Sequence, residues 1–359
     1  MLTLPGLIDI QTHISAAKSE QQEDWSSLTA AALAGGFTTV LVMPDAVPAI
    51  TDESSLKNTL DVASDTAYCD FGQIIAATTV NARETEVFQD QAAAILLNSP
   101  GPEAESVLKN MHAMNRIFSN WPKEKPVCID ADAHPIGTAL FTAKVHQCPV
   151  HVFNVSTTEQ IELIKEAKEL GGNVTCSVSP HHLFLSQKHL EKMPENMRLS
   201  FLTLGTEADR RMIWKNLSLI DCFASNHVPW PCGTIEKPDS PATGNPGLET
   251  ALALYLYAVQ GGFMTMEDLI ARCYTNPKRI FNLPEQLNTQ VEVDDETPFK
   301  VDPDQFATRC KRSPYAEMEF HARIVRVTLR GKTVYKNGKL LAKPGSGRNA
   351  SGYLPKLIE

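Results

Sequence analysis

An apolar run near the start of the chain ends in two polar side chains that could act on a bound molecule. The run covers residues 4–10 and is followed by Gln11, Thr12 and His13. Gln11 and His13 are two residues apart, so on a strand both point the same way, towards the mouth of a pocket. Histidine at position 11 would complete a His-x-His motif, in which two imidazoles bind one metal ion. The neutral carboxamide of Gln11 is a far poorer ligand for a transition metal. The pair therefore belongs either to an unusual working site or to one that has lost its chemistry.

The composition indicates a large folded protein without a nucleic-acid or membrane surface. The 359 residues are 43% hydrophobic and 21% charged, enough to bury a large core as one α/β barrel with an appendage or as two domains. The net charge of −9 gives no electrostatic footprint for nucleic acid or an anionic membrane, which favours a small-molecule or protein partner. With no apolar run of membrane-spanning length and no leader pattern, we expect neither a membrane span nor a signal peptide.

The cysteines are scattered and form no Cys-x-x-Cys pair. In a chain of this length such residues are typical of buried, reduced thiols, which predicts a cytoplasmic protein. They are Cys69, Cys128, Cys148, Cys176, Cys222, Cys232, Cys273 and Cys310.

Eight apolar, β-rich runs alternate with helical patterns or turn signals. Near-continuous runs of this kind are typical of parallel strands that are covered on both faces. The segment 24–33 before Gly35 and the one from 156 to 170 carry helix start and stop signals, with a capping box at residues 156–159. The repeated pattern predicts a (β/α)8 TIM-type barrel, with a doubly wound open sheet as the alternative. The runs are 7–13, 38–43, 71–77, 93–97, 126–129, 150–155, 174–178 and 221–224.

The pattern changes after the eighth run. A Pro/Gly-rich loop at 229–246 precedes helices at 248–260 and 265–273, and alternation from 319 to 341 around the turn 336–339 predicts a small β appendage. The Gly/Ser/Pro-rich tail is expected to be a linker onset or a loose end. We therefore divide the chain into a barrel at 4–285, an extended segment with a small β subdomain at 286–342, and a C-terminal tail at 343–359.

Five blocks, in the right order, resemble one known family. Together they resemble the dihydroorotase domain of the multifunctional pyrimidine-synthesis proteins of eukaryotes, in the amidohydrolase superfamily. This resemblance implies a metal-dependent (β/α)8 barrel with a small β domain. The blocks are Leu4 to Asp9, Thr29 to Thr38, Ser179 to Ser186, Asp221 to His227 and Asn276 to Phe281.

The resemblance implies two zinc ions held at strand ends by His-x-His, a carbamylated lysine, two further histidines and an aspartate. Of these positions only His13 keeps its residue. The first histidine falls on Gln11, the strand 5 and strand 6 histidines on Asp130 and Asn154, and the aspartate on Asn226. No lysine lies between positions 57 and 109, where the carbamate would form. We therefore expect no metal ion and no other cofactor.

The positions implied to bind substrate also differ. The carboxylate-binding arginine falls on Ser15, an asparagine falls on Asp45, and a histidine of the loop after strand 8 falls on Trp230. Trp230 and Pro231 either fill space that substrate once occupied or lie in an ordinary surface loop. An acidic residue that binds an additional zinc in some members falls on Ser177.

Several polar residues keep both a chemical and a structural interpretation. His13 with Asp130 gives at most a mononuclear site that is two ligands short, and the alternative is a hydrogen-bonded pocket residue. The neighbours His181 and His182 belong to a block that is mainly structural in the family. His227 is what remains of the old site or a core hydrogen-bonding residue. Asp9 shares the face of Gln11 and His13, where a polar barrel position is its expected role.

These substitutions lead to one hypothesis and two alternatives. The hypothesis is a catalytically inactive dihydroorotase-like domain, similar to that of the fungal type of multifunctional protein. It would act as a scaffold and homodimerisation module between carbamoyl phosphate synthetase and aspartate transcarbamoylase on one polypeptide. The first alternative is a metal-free or mononuclear amidohydrolase using His13, Asp130, Asp132 or His227. The second is a regulatory module that binds an effector in the old pocket.

Overall fold

A closed ring of parallel strands forms the larger part of the molecule. The computed structural model describes residues 1–14, 23–46, 48–98, 105–133, 136–193, 203–229, 244 and 246–352. The strands are β1 (Leu2–Pro5), β2 (Leu7–Thr12), β3 (Phe37–Val42), β4 (Asp70–Ala76), β5 (Ala92–Leu96), β6 (Val127–Asp130), β7 (Val150–Phe153), β8 (Val174–Val178), β9 (Cys222–Phe223), β10 (Gln290–Asp294), β11 (Phe299–Lys300), β12 (Glu319–Phe320), β13 (Arg323–Leu329), β14 (Lys332–Lys336) and β15 (Lys339–Leu340).

Strands β2 to β9 pair in chain order into one parallel sheet of eight strands. A bridge between Thr12 and His227, with the His13 backbone N–H 2.9 Å from the His227 carbonyl, connects the first strand to the end of the last. Consecutive order and closure are features of a barrel, whereas an open doubly wound sheet reverses its strand order at a switch point. The predicted (β/α)8 fold is therefore confirmed, and the doubly wound alternative is wrong.

Helices cover the outside of this ring, and several begin at side-chain caps. Asp24 caps α1 through Ser27, and Thr157 caps α6 through Gln160. The capping box at α6 thus begins one residue later than predicted and uses Gln160. The helices are α1 (Trp25–Ala34), α2 (Glu53–Thr66), α3 (Glu105–Lys109), α4 (Met111–Asn120), α5 (Ile136–Val145), α6 (Thr158–Glu169), α7 (Pro180–Phe184), α8 (Gln187–Lys192), α9 (Glu207–Lys215), α10 (Leu248–Gln260), α11 (Met266–Ile270) and α12 (Asn276–Ile280).

The smaller part is a five-stranded antiparallel sheet in the order β1, β10, β13, β14, β15, with β11 and β12 paired beside it. The first apolar run of the chain is therefore two strands that meet at Gly6. A Cβ at Gly6 would lie 2.3 Å from Thr38 Oγ1, so only glycine fits between the two sheets. The predicted turn joins β14 to β15, with Asn337 and Gly338 at φ 48° and 79°, the backbone that Asn-Gly favours.

The last described residues, up to Gly352, cover the amino-terminal end of the barrel. The Phe71 backbone N–H donates to the Arg348 carbonyl at 3.0 Å, and the Ala350 N–H donates to the Phe71 carbonyl at 2.7 Å. Ala350 belongs to the apolar cluster of Ile8, Ile74 and Phe153. The expectation of a loose end is therefore wrong up to residue 352, because the barrel end offers this segment backbone partners and an apolar cluster. The division at residues 285 and 342 remains a prediction.

The described helices were compared with the length and apolar character of a membrane-spanning helix. Across the described ranges, no helix combines the length and the apolar character needed to cross a bilayer.

Candidate functional site at the carboxyl ends of the strands

The predicted site residues lie where the barrel strands end. Gln11 is the fifth residue of the six in β2, His13 follows that strand, and Asp130 closes β6. Asn154 follows β7, and Asn226 lies three residues beyond β9. Parallel strands bring their carboxyl ends to one edge of a barrel, where such enzymes place their catalytic residues. Ser15, Trp230 and Pro231 lie outside the described residues.

His13 is held by Asp45, which follows β3. The His13 Nδ1 lies 2.6 Å from Asp45 Oδ2, and the two side chains are 16% and 22% exposed. Burial by itself lowers the pKa of His13, but the Asp45 carboxylate, together with Asn226 and Asp130, outweighs burial and raises that pKa. His13 therefore keeps its proton to a higher pH than a free histidine.

Asp130 is fixed by amides. Its carboxylate accepts hydrogen bonds from Asn154 Nδ2 at 2.6 Å and from the Asp132 backbone N–H at 3.0 Å. Its own backbone N–H donates to Asn98 Oδ1 at 2.8 Å. Burial raises the pKa of Asp130, against the two hydrogen bonds that its carboxylate accepts. Both carboxylate oxygens are thus engaged by this chain.

The two asparagines of the site have a left-handed backbone. Asn154 has φ 60° and Asn226 has φ 47°. Side chains with a Cβ rarely adopt this conformation, and asparagine is among the residues that tolerate it best. The amide at each strand end therefore suits the local backbone as well as the pocket.

His227 caps a helix. Its Nδ1 accepts hydrogen bonds from the backbone N–H groups of Gly247 at 3.2 Å and Leu248 at 3.5 Å, at the start of α10. An Nδ1 that accepts must carry no proton, so the neutral ring holds its proton on Nε2. Burial, with a smaller contribution from His13, lowers the pKa of His227 to about 3. This geometry gives His227 a structural role at the edge of the site.

The neighbours His181 and His182 are also held as neutral rings. His181 Nδ1 lies 3.0 Å from the Tyr315 hydroxyl, and the two rings stack with their planes 2° apart. His182 Nδ1 lies 3.0 Å from Ser179 Oγ, within the cap of α7. Burial lowers the pKa of His181 to about 3 and that of His182 to about 4.

Asp9 binds backbone groups. Its carboxylate accepts hydrogen bonds from the Ser225 and Gln11 backbone N–H groups at 3.1 Å. Burial raises the pKa of Asp9 to about 6, although those bonds oppose it. The pairing of β2 with β3 shifts by one residue between Asp9 and Thr12. The simple alternation that placed Asp9, Gln11 and His13 on one face is therefore interrupted, and Asp9 ties β2 to the end of β9.

Sequence reasoning missed three residues around the site. Asn98 follows β5 and holds the Asp130 backbone, and Tyr315, from the appendage side of the chain, stacks on His181. His151 is buried within β7, 2.9 Å from Thr175 Oγ1, and packs edge-on against Phe153. A histidine inside an apolar strand is a signal that could have found His151. No local pattern indicates the contact between Tyr315 and His181.

Several buried polar atoms at this end of the barrel have no hydrogen-bond partner among the described residues. Buried polar groups in folded proteins are almost always paired with protein or with ordered water. Unpartnered polar atoms at the strand ends are therefore groups that a polar ligand or water could bind. They include Gln11 Oε1, His13 Nε2, Asp45 Oδ1, Asn154 Oδ1, Ser177 Oγ, His181 Nε2, His182 Nε2 and His227 Nε2.

Comparison with known proteins identifies the family. No protein-family model matches the chain. Multifunctional protein CAD of Squalus acanthias is 38% identical over 98% of this chain, which spans 16% of that protein. Multifunctional protein pyr1-3 of Dictyostelium discoideum is 37% identical over 97% of the chain and 16% of that protein. The dihydroorotase of Pyrococcus horikoshii is 30% identical over 98% of the chain and 87% of its own length.

The chain belongs to the dihydroorotase family. Among solved structures, the inactive dihydroorotase-like domain of a Chaetomium thermophilum CAD-like multifunctional protein has a TM-score of 0.80 at 29% identity. That match covers 97% of this chain and 98% of the domain. L-hydantoinase (dihydropyrimidinase) from Arthrobacter aurescens has a TM-score of 0.81 at 21% identity and shares the fold. The family resemblance that the sequence predicted is confirmed.

The residues of this dihydroorotase-family site do not fit a pair of zinc ions. Zinc prefers imidazole, thiolate and carboxylate ligands. Among the predicted ligand positions only the Asp130 carboxylate and the His13 Nε2 are of these kinds, since the His13 Nδ1 faces Asp45. The remaining positions are the amides of Gln11, Asn154 and Asn226, and β5 contributes only aliphatic side chains. Within the described ranges, no group of three or more His, Cys, Asp or Glu residues is arranged to hold a metal ion.

Proposed function

We propose that the chain is a catalytically inactive dihydroorotase-like domain. The observation that carries this proposal is the set of side chains at the strand ends, where Gln11, Asn154 and Asn226 offer carboxamides and Asn154 Nδ2 donates to the Asp130 carboxylate at 2.6 Å. Metal-dependent hydrolysis of an amide requires an ion that makes water acidic at neutral pH and a base that accepts its proton. Carboxamides supply neither function, because they bind zinc poorly and cannot take a proton near neutral pH.

Its role would be structural. We place the domain, in the cytoplasm, within a multifunctional protein of pyrimidine synthesis, where it acts as a scaffold and homodimerisation module. Carbamoyl phosphate synthetase and aspartate transcarbamoylase would lie elsewhere on the same polypeptide. Support comes from the multifunctional relatives, of which the chain spans 16%, and from the likeness to a domain described as inactive. Twofold homodimers are the commonest assemblies of soluble oligomers.

Single restorations of ligands test the inactivity. Gln11→His and Asn226→Asp each return one group, and neither should give dihydroorotate turnover with added zinc, because the other ligands are still missing. The wild-type chain is the control, and circular dichroism establishes that each variant is folded. Turnover from either single change would contradict the proposal, since it would require a site that is otherwise intact.

The dimerisation role has its own test. Sedimentation velocity of the purified chain at micromolar concentration should give a species of twice the 39.5 kDa chain mass. A monomer at every concentration up to about 100 μM would contradict a dimerisation role, since the chain would then have no dimer affinity of the order that stable homodimers show.

The unpartnered polar atoms at the strand ends favour one second candidate, an effector-binding module. Gln11 Oε1, Ser177 Oγ and His227 Nε2 could together bind a small polar ligand. Orotate and dihydroorotate are suitable probes, since a ligand at about 100 times its dissociation constant adds roughly 2.7 kcal/mol to the stability of the folded protein. A rise in melting temperature that Ser177→Val abolishes would support this candidate. An unchanged melting temperature at millimolar probe would exclude these ligands.

A further inference from the structure

A second cavity lies between the barrel and the small β sheet, away from the carboxyl ends of the strands. Its volume is 480 Å³, within the range of small-molecule sites. Ala34 at the end of α1 and Glu249 in the first turn of α10 form the barrel side. Residues 299–306 and the strands β13 and β14 form the other side. We call this space the appendage cavity, and none of its lining residues belongs to the site described above.

Aromatic and aliphatic side chains form the walls of the appendage cavity. Phe299, Phe306 and Tyr335 line it, together with the apolar Ile324. Phe299 packs against Phe320 with ring centres 6.4 Å apart, so this wall is supported from behind by the pair of β11 and β12. Flat aromatic walls favour a planar ring as the body of a ligand.

Two cationic groups remain available at this cavity. The Arg323 guanidinium lies 5.5 Å from the centre of the Phe299 ring. It makes no ion pair or hydrogen bond with the described part of the chain. The Lys300 ammonium lies 3.9 Å from Glu317, and both side chains are mostly exposed, so this ion pair is weak. A guanidinium that stacks on an aromatic wall is well placed to meet an anionic group in the plane of a bound ring.

The two carboxylates of the lining are already engaged. Glu249 accepts hydrogen bonds from the backbone N–H groups of Ala307 at 2.7 Å and Thr308 at 3.0 Å. Asp302 accepts one from the Asp304 N–H at 3.1 Å. Burial and the nearby Glu23 raise the pKa of Glu249 to about 8, although the two N–H donors oppose this rise. These carboxylates already have partners within the chain, so the Arg323 guanidinium is the charged group of the lining that is left to pair with a ligand.

We propose that the appendage cavity binds a small anion that carries a planar aromatic ring. The ring packs against Phe299, Phe306 and Tyr335, and the carboxylate or sulfonate of the ligand pairs with the Arg323 guanidinium. Lys300 strengthens the attraction from the rim. The inference does not depend on the proposed function, since the cavity and the strand ends share no residue.

Calorimetric titration of the full chain with 2-naphthoate tests this proposal. We expect one site per chain, and Arg323→Ala should weaken binding at least tenfold because it removes the free guanidinium. Lys336→Ala is the matched control, since this exposed lysine lies on β14 and does not line the cavity. Naphthalene-2-carboxamide, a neutral ligand of the same shape, should bind at least tenfold more weakly than the anion.

Three results would overturn the proposal. They are no heat of binding with millimolar 2-naphthoate, equal affinity for the carboxamide, and equal affinity of Arg323→Ala and wild type. Arg323 is exposed and stabilises no neighbour by a hydrogen bond, so its substitution leaves the fold intact. Phe306→Ala is a second test variant, because it removes one aromatic wall and should also weaken binding of 2-naphthoate.

Discussion

The two ends of the barrel differ in how their buried polar groups are paired. At the amino-terminal end, charged groups are matched: Arg330 Nη1 lies 2.6 Å from both carboxylate oxygens of Asp70, and the Arg348 N–H donates to the same carboxylate at 2.9 Å. The Lys125 ammonium donates to the carbonyls of Gln89, Ala92 and Ser351. At the carboxyl end, several buried polar atoms have no partner among the described residues.

This difference separates structural polarity from polarity that belongs to a site. A buried polar group that only stabilises a fold is expected to be fully paired, because an unpaired one costs about 1–3 kcal/mol. The charged groups of the amino-terminal end meet this expectation, while the Ser351 hydroxyl at that end is buried without a partner among the described residues. The carboxyl end has more such unpartnered polar atoms, in the place where a barrel enzyme does its chemistry.

Acidification should give the largest effect, since it acts on buried neutral imidazoles, three of them near the carboxyl end of the barrel and His151 within β7. Burial lowers the pKa of His151, His181 and His227 to about 3 and that of His182 to about 4. The unfolded chain then binds more protons than the folded one, so stability falls as pH drops below 6.5. A folded pKa of about 3 costs about 2 kcal/mol per imidazole at pH 5.

Several groups oppose this trend, because a raised pKa makes protonation favour the folded state as pH falls. The groups with raised pKa values are Asp9, His13, Glu23, Asp70, Asp130 and Glu249. The net loss between pH 7 and pH 5 should be a few kcal/mol. Urea unfolding at both pH values measures it, and His151→Phe should reduce the loss by about 2 kcal/mol. Exposed His112→Phe is the control, and an identical loss in wild type and His151→Phe would show that His151 is not buried as a neutral ring.

Breaking a matched charge at the amino-terminal end should have the next largest effect. Asp70→Asn removes the charge that Arg330 and the Arg348 N–H share, and should cost about 2 kcal/mol because the pair is largely buried. The same substitution at Asp61, whose ion pair with Lys57 is exposed, should cost less than about 0.5 kcal/mol. Chemical denaturation measures both. An equal loss of unfolding free energy in the two variants would mean that the ion pair of Asp70 with Arg330 does not stabilise the fold.

Removing an unpartnered atom from the carboxyl end should have the smallest effect. Ser177→Ala deletes a buried hydroxyl without a protein partner, so the free energy of unfolding should change by less than about 0.5 kcal/mol or rise slightly. Thr29→Ala, which removes a buried hydroxyl bonded to the Trp25 carbonyl and the Tyr68 N–H, is the contrast and should cost about 1 kcal/mol. A larger loss in Ser177→Ala than in Thr29→Ala would reverse the comparison.

Local signals predicted the barrel well. Each of the eight apolar runs overlaps one of the strands β2 to β9, because a parallel strand covered on both faces requires a continuous apolar run. The pairing of Leu2–Pro5 with Gln290–Asp294 was not predicted, because nothing in either segment identifies a partner so distant in sequence. The packing of the segment up to Gly352 was missed for the same reason, since its Gly/Ser-rich composition is typical of a linker.

The site was predicted in its position but only partly in its contacts. Strand ends and the family resemblance brought Gln11, His13, Asp130, Asn154 and Asn226 into consideration. The pairing of His13 with Asp45 depends on how two strands end side by side, and the capping of α10 by His227 depends on a residue twenty positions away. Such contacts arise from the tertiary structure and leave no local pattern.

The most direct test of the central claim is zinc content together with dihydroorotate turnover in the wild-type chain. The purified protein is incubated with zinc, freed of excess metal and assayed for the formation and the hydrolysis of dihydroorotate. We expect much less than one equivalent of bound zinc and no turnover above background, because the His13 imidazole and the Asp130 carboxylate leave a zinc ion two ligands short of a closed shell. One equivalent of zinc or more, or turnover in either direction, would contradict the claim and make His13 and Asp130 a working site.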